Sequence, residues 1–154
     1  MAMPPGLEQA SAAERLGFLL ARHGQIMNLR LRHALGVSGL GPRHGSTLLR
    51  LARLGATSQQ HLIEALAVDP SAVVAILNDL ERDGLVVRSR DPADRRRHIV
   101  EITKTGRKAA NEVENAISEV EREIFTHLDA AEVAQLHGLL SRLHVQPSDG
   151  VCGD

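Results

Sequence analysis

Between Gly84 and Thr103 the spacing of apolar residues changes, and that change constrains the fold more than any other feature of the chain. Before Gly84, Val73, Ile76, Leu77 and Leu80 recur with the period of about 3.6 that marks one face of a helix. After it, Leu85, Val87 and Ser89 alternate with Val86, Arg88 and Arg90. Further on, His98, Val100 and Ile102 alternate with Ile99 and Glu101. Alternation marks a half-exposed strand. Asp91-Pro92-Ala93-Asp94, between the two runs, is turn chemistry. The expectation is a single β-hairpin with Arg95, Arg96 and Arg97 at its tip, set into a chain that is otherwise helical.

Helical signals cover the remainder. Leu16, Leu19, Leu20, Ile26 and Met27 space an amphipathic helix from about residue 12 to 35, ended by Gly36, Gly39 and Gly41. Pro42 suits the first position of a second helix that runs to about Leu54 with Gly45 inside it. Thr57 with Gln60 reads as a capping box for a third helix closed by Val68. Asp69 and Pro70 open a fourth, to about Asp83, with Gly84 as a left-handed stop. Thr103 caps a fifth, to about Leu128, with Ala109, Val113, Ala116, Val120 and Ile124 as its apolar stripe. Asp129 and Glu132 open a last helix with Val133, Leu136, Leu140 and Leu143 facing inward.

Composition narrows the possibilities. The 154 residues suit one compact domain, and 43% of them are apolar. The core must be aliphatic, because there is no Trp or Tyr and Phe occurs only at Phe18 and Phe125. A single cysteine, Cys152, excludes an intrachain disulfide and a cysteine-built metal site, and suits a reducing cytoplasm. No apolar run approaches the roughly 20 residues that span a bilayer. Residues 1–10 lack a basic stretch followed by an apolar one, so no secretion signal is expected and the expected location is cytoplasmic.

Net charge is −1, which by itself argues against nucleic acid, but the charge is segregated. Residues 82–108 hold nine basic and four acidic residues, a net of +5, so the rest of the chain carries −6. One edge thus suits an anionic partner. Two short helices joined by a tight turn and followed by a hairpin make a winged helix-turn-helix. Its second helix fits a major groove about 12 Å wide. Its hairpin reaches the flanking minor groove, where arginine meets a concentrated negative potential. The first, fifth and sixth helices carry more apolar surface than so small a domain uses, and a second copy would cover it.

The expected fold is therefore mainly α with α+β character: a winged helix-turn-helix with long N- and C-terminal dimerisation helices, about six helices and a two-stranded β-wing. The expected organisation is a flexible tail at 1–10, dimerisation helices at 11–36 and 104–144, a DNA-binding region at 40–103 and a second flexible tail at 145–154.

At this point the chain resembles the MarR family of bacterial regulators. The run from Asp91-Pro92-Ala93-Asp94-Arg95-Arg96-Arg97 to Val100-Glu101-Ile102-Thr103-Lys104-Thr105-Gly106 resembles the family's wing signature. Leu80-Glu81-Arg82-Asp83-Gly84-Leu85-Val86-Val87-Arg88 resembles the segment before it, and Leu16-Gly17-Phe18-Leu19-Leu20 the start of its first helix. The resemblance covers about residues 14–144. It implies a winged-helix homodimer, usually a repressor, on a palindromic operator in double-stranded DNA. A small molecule, an oxidant or a metal often releases such proteins.

The expected DNA-binding residues fall into three groups. In the wing, one of Arg95, Arg96 and Arg97 enters the minor groove, while Asp94 pairs with a neighbouring arginine. Arg88 and Arg90 are read as phosphate clamps or as partners of Asp91. On the fourth helix, Ser71, Ala72, Ala75, Asn78, Asp79 and Arg82 lie nearer the groove. Ser71 and Asn78 are donors, although Asn78 reads equally well as a plain helix residue, and Ala72 and Ala75 suit thymine methyls. Val74, Ala75 and Asp79 stand where family members often carry Thr, Arg and a basic residue, so wing and shape readout gain weight. Ser58, Gln59 and Gln60 open the third helix, either as phosphate contacts or as ordinary capping residues.

Other chemistries are poorly supported. The eight histidines show no i, i+4 metal pair, so no metal site and no cofactor are expected. A pH-sensitive dimer interface is a minor alternative. Cys152 lies in a Gly-rich tail and is a poor redox sensor. No phosphate loop or nucleophile elbow suggests an enzyme. By position in the family, a small-molecule effector pocket would be lined by His23, Met27, His44, Leu48, Arg107 and Asn111. The rival reading is a winged-helix protein-interaction module with weak or lost sequence-specific DNA binding.

Overall fold

The computed structural model describes residues 15–36 and 39–143. The expected tails, the first residues of the opening helix and Cys152 lie outside the described residues. Within them the order is α1 (Leu16–Gly36), α2 (Pro42–Leu54), β1 (Thr57–Ser58), α3 (Gln59–Leu66), α4 (Pro70–Arg82), β2 (Val86–Arg90), β3 (His98–Ile102), α5 (Lys104–Ile124) and α6 (Ala130–Ser141).

Capping chemistry sets most of these boundaries. Pro42 and Pro70 open α2 and α4, where a missing N–H leaves no helical bond unmade. The Asp69 carboxylate accepts the Ala72 N–H at 3.2 Å. Gly84 takes φ +72 after α4, a left-handed conformation that costs glycine little. Thr103 accepts the Gly106 N–H at 2.9 Å to start α5. Asp129 and Glu132 exchange bonds of 2.8 and 2.9 Å in a reciprocal box at α6.

The sheet has three strands where the sequence predicts two. β1 pairs antiparallel with β3, Thr57 against Val100 and Ser58 against Ile99, and the order is β1-β3-β2. This displaces the predicted cap of α3. β1 takes up both Thr57 and Ser58, so α3 begins only at Gln59, and Ser58 is the cap that accepts the His61 N–H at 3.1 Å. The Gln60 side chain donates to Glu64 at 3.2 Å, and the Thr57–Gln60 box does not form. α3 stops at Leu66 with Ala67 left-handed at φ 50. α5 stops at Ile124, and a tight turn from Phe125 to Leu128 (2.9 Å) separates it from α6.

Every layer of the winged region feeds one aliphatic core. Leu48 and Leu51 of α2, Leu62 of α3, Val73, Ile76, Leu77 and Leu80 of α4, Val86, Val100 and Ile102 of the sheet, and Ala110 and Val113 of α5 are all buried. The buried Thr47 hydroxyl donates to the Arg43 carbonyl at 2.9 Å, so it remains satisfied. Two glycines permit the closest approaches. A Cβ at Gly45 would meet Val113 Cγ1 at 3.1 Å, where α5 crosses α2. A Cβ at Gly106 would overlap the Leu85 carbonyl oxygen and come within 2.7 Å of Ile102 Cγ1.

The terminal helices differ. α1 leaves Leu16, Phe18, Leu20 and Leu29 exposed. α6 buries no residue, and Leu139, Leu140 and Leu143 are exposed. Val133 and Leu136 are half-buried in an open groove against Phe125 and Leu128.

Candidate nucleic-acid interface

α4 buries Val73, Ile76, Leu77 and Leu80 and so turns its other face outward. Ser71, Ala75, Asn78 and Arg82 are exposed there, with Ala72 and Asp79 half-buried beside them. At the helix start the Ser71 hydroxyl donates to Asp69, and this bond, aided by the Ala72 N–H, holds the Asp69 carboxyl below its ordinary value of 3.8. Further along, His44 Nε2 on α2 donates to Asp79 Oδ2 at 2.9 Å. That bond is the main reason the Asp79 carboxyl also lies below 3.8, and Arg82, 3.1 Å from it, adds to the effect. The carboxylate on this outward face is therefore paired twice.

A second cluster ties α4 to β2. Arg88 Nε and Nη2 donate to Glu81 Oε2 at 3.1 and 2.6 Å, and the Arg88 main-chain N–H donates to Glu81 Oε1 at 3.3 Å. Arg88 lowers the Glu81 carboxyl below its ordinary value of 4.5. The same guanidinium donates from Nη2 to Asn78 Oδ1 at 2.6 Å.

The wing tip is built largely by its two aspartates. The Asp91 carboxylate accepts the Ala93 N–H at 2.9 Å, and the Asp94 carboxylate accepts the Arg96 N–H at 3.0 Å. Main-chain bonds from Asp91 to Arg97 and from Arg97 to Asp94, both 2.9 Å, close the turn. The Arg97 side chain lies 3.7 Å from Asp94, and Arg90 Nη1 donates to the Arg95 carbonyl at 3.3 Å. Among the described residues the guanidiniums of Arg95 and Arg96 have no partner. The turn thus presents two unneutralised cations on a braced backbone.

The MarR family model matches residues 38–97, from the start of the winged region to the wing tip. A Thauera aromatica protein named as a transcriptional regulatory protein for the hcr operon is 37% identical over 145 residues, 93% of this chain and 87% of that protein. The chain belongs to the MarR family. Among solved MarR-type structures, Bordetella bronchiseptica BpsR, described for regulation of its DNA binding by 6-hydroxynicotinic acid, is 28% identical with a TM-score of 0.78, over 86% of this chain and 94% of that one. A mutant E. coli MarR complexed with operator DNA is 25% identical with a TM-score of 0.75, over 82% of this chain and 91% of that one. The chain is thus a transcriptional regulator with a DNA-binding winged helix, and its relatives are regulators rather than enzymes.

Set on this MarR frame, the sequence-predicted residues separate into groups. Arg95, Arg96 and Arg97 share the wing tip with Asp91 and Asp94, while Ser71, Ala75, Asn78 and Arg82 share the outer face of α4. Arg88 is held on Glu81 and Asn78, its side chain 20% exposed, rather than extended as a phosphate clamp or paired with Asp91. Ser58 and Gln59 are half-buried at the start of α3 and Gln60 is exposed. The six residues assigned to an effector pocket are dispersed in character. Leu48 is sealed in the core, His44 is bonded to Asp79, His23, Arg107 and Asn111 are exposed, and Met27 is half-buried. A groove of about 540 Å³ between α1 and α5 is lined instead by residues such as Leu29, Arg30, His33, Glu119 and Glu123. Sequence reasoning missed the Glu81–Arg88 pair, although opposite charges flanking the Gly84 turn signal it. It also missed His44–Asp79, for which a separation of 35 residues leaves no local signal. Among the described residues no three His, Cys, Asp or Glu side chains gather as metal ligands, and no single helix is long and apolar enough to cross a membrane.

Proposed function

We propose that this MarR-family chain is a cytoplasmic repressor that binds a pseudo-palindromic operator as a homodimer and is released by a small-molecule effector. α4 enters the major groove and the wing enters the adjacent minor groove. The observation that carries this reading is the unpartnered pair of guanidiniums, Arg95 and Arg96, on a turn braced by Asp91 and Asp94. A cation carried on a braced backbone but not neutralised is what a narrow minor groove rewards. Ser58, Gln59 and Gln60 at the start of α3, and Arg90 beside the tip, lie in a region suited to phosphate contacts that fix register.

Dimerisation is supported by the apolar residues that α1 and α6 leave uncovered. A twofold axis would repeat α4 and the wing about one helical turn apart on one DNA face. Effector release is supported by the described dependence of BpsR on 6-hydroxynicotinic acid. The second reading, a protein-binding winged helix, draws on the carboxylate that Asp79 adds to the outer face of α4. Its pairing with His44 and Arg82 weakens that reading.

Fluorescence anisotropy with a duplex from beside the chain's own gene and a scrambled duplex tests the proposal. The expected result is tight binding to the first alone, an affinity that falls steeply with salt as counterions are released, and a loss of at least tenfold in Arg95→Ala/Arg96→Ala. Equal, weak binding to both duplexes would overturn it.

A further inference from the structure

We infer that Asn78 reads a guanine in the operator and that Arg88 sets this preference by holding the Asn78 amide in one orientation. The inference rests on α4 lying in the major groove, as proposed above. Arg88 Nη2 lies 2.6 Å from Asn78 Oδ1. A guanidinium carries donors and no acceptor, so the amide atom facing it must be the oxygen. The Asn78 amide therefore cannot be flipped, and its NH2 group points away from Arg88.

Arg88 is not free to release that oxygen. Its Nε and Nη2 both donate to Glu81 Oε2, at 3.1 and 2.6 Å, and its own main-chain N–H donates to Glu81 Oε1. Asn78 stands on the exposed face of α4 with Ser71, Ala75 and Arg82. Among the described residues its NH2 group has no partner. The free part of the side chain is thus a donor, while its acceptor faces a cation.

This matters because the four major-groove edges differ in their donors and acceptors. Asparagine ordinarily pairs with adenine by donating to N7 and accepting from N6–H. Here that oxygen keeps a second lone pair, but adenine N6–H would have to bring a positive edge up to the Arg88 guanidinium, which disfavours the second bond. Cytosine offers N4–H2, a donor facing a donor. Thymine offers one acceptor, O4, beside a methyl group. Guanine offers two adjacent acceptors, N7 and O6, to one NH2 group, and the nearby Arg88 charge favours the same edge. Asn78 would otherwise be expected to select adenine. The Arg88 relay turns it into a guanine reader.

Selection of bound duplexes from a randomised library, using the full chain and its variants, tests this. Wild type should enrich one guanine position per half-site. In Asn78→Ala that position should lose about tenfold of its preference. In Asn78→Asp the outward atom becomes an acceptor, so the same position should turn to cytosine. In Arg88→Leu the amide can rotate, and adenine should be accepted there alongside guanine. Should Arg88→Leu fail to fold, Glu81→Gln, which loosens the Arg88 anchor, takes its place, and a guanine preference unchanged in the variant that folds overturns the role of Arg88. A palindrome enriched with no guanine that depends on Asn78, or a cytosine response absent in Asn78→Asp, overturns this inference alone. A wild-type chain that enriches no sequence overturns the regulator reading together with it.

Discussion

The winged region and the terminal helices of this chain handle apolar surface in opposite ways. From α2 to the first half of α5, every helix and the two longer strands contribute buried aliphatic residues to a shared core. At the ends, α6 buries none, and Leu16, Phe18 and Leu29 of α1 are more than half exposed. The difference teaches that the chain carries two kinds of apolar surface. One completes its own fold, and the other is left uncovered within one chain, as the proposed dimer requires. Exposed patches of this sort mark interfaces in soluble proteins.

The largest test of this contrast is in the core. Leu77→Ala should cost roughly 2–5 kcal/mol in chemical denaturation, because it leaves a cavity in a site with no exposure. The same truncation at Leu139, 52% exposed on α6, should change the stability of an isolated chain by no more than about 0.5 kcal/mol while weakening self-association. Equal losses at the two sites would erase the distinction.

Glycine substitutions sharpen the comparison at a smaller scale. Gly106→Ala puts a methyl group into the Leu85 carbonyl and should cost about 1–3 kcal/mol. Gly138→Ala on α6 meets nothing within 4 Å, so helix propensity should stabilise an isolated chain by up to about 1 kcal/mol. Thermal melts of both variants at a concentration below self-association measure this. A destabilised Gly138→Ala under those conditions would show that α6 is packed within one chain.

The smallest effect is electrostatic and confined to the winged region. Asp69, Asp79 and Glu81 have carboxyl groups held below their ordinary 3.8, 3.8 and 4.5. Their folded-state values lie below the unfolded ones, so their stabilisation is present above those ordinary values and is lost as pH falls through the lower folded values. All three are solvent-screened, so the loss should be modest. Melting temperature should fall on acidification below pH 4.5, and Asp79→Asn should flatten that fall. An unchanged slope would mean that the His44 and Arg82 contacts do not persist in solution.

Much of this architecture was legible because it depends on neighbours in sequence. Pro42, Asp69 with Pro70, Gly84, Thr103 and the Asp129–Glu132 pair each act within one helical turn, so their spacing alone announces them. The wing was legible for the same reason, since Asp91 and Asp94 brace residues two or three positions away. The features missed depend on distance. β1 is two residues long, too short to show a period, and its partner is Val100 and Ile99. Ser58 and Thr57 are adjacent hydroxyls, and which one caps α3 depends on where the strand hands over to the helix. The end of α5 was unreadable because Phe125-Thr126-His127-Leu128 contains neither glycine nor proline. In the candidate interface, the arginine cluster was visible. Which arginines stay free was not, because the Arg88 bond to Glu81 and the contact of Arg90 with the tip backbone exist only once the hairpin has folded.

The most direct test is the mass of the complex formed on a duplex recovered by selection, measured by native mass spectrometry. The open faces of α1 and α6 should join two copies and set two wings on one duplex. The expected result is two 16.7 kDa chains per duplex, with no complex containing a single chain. A stable complex with one chain per duplex would contradict it.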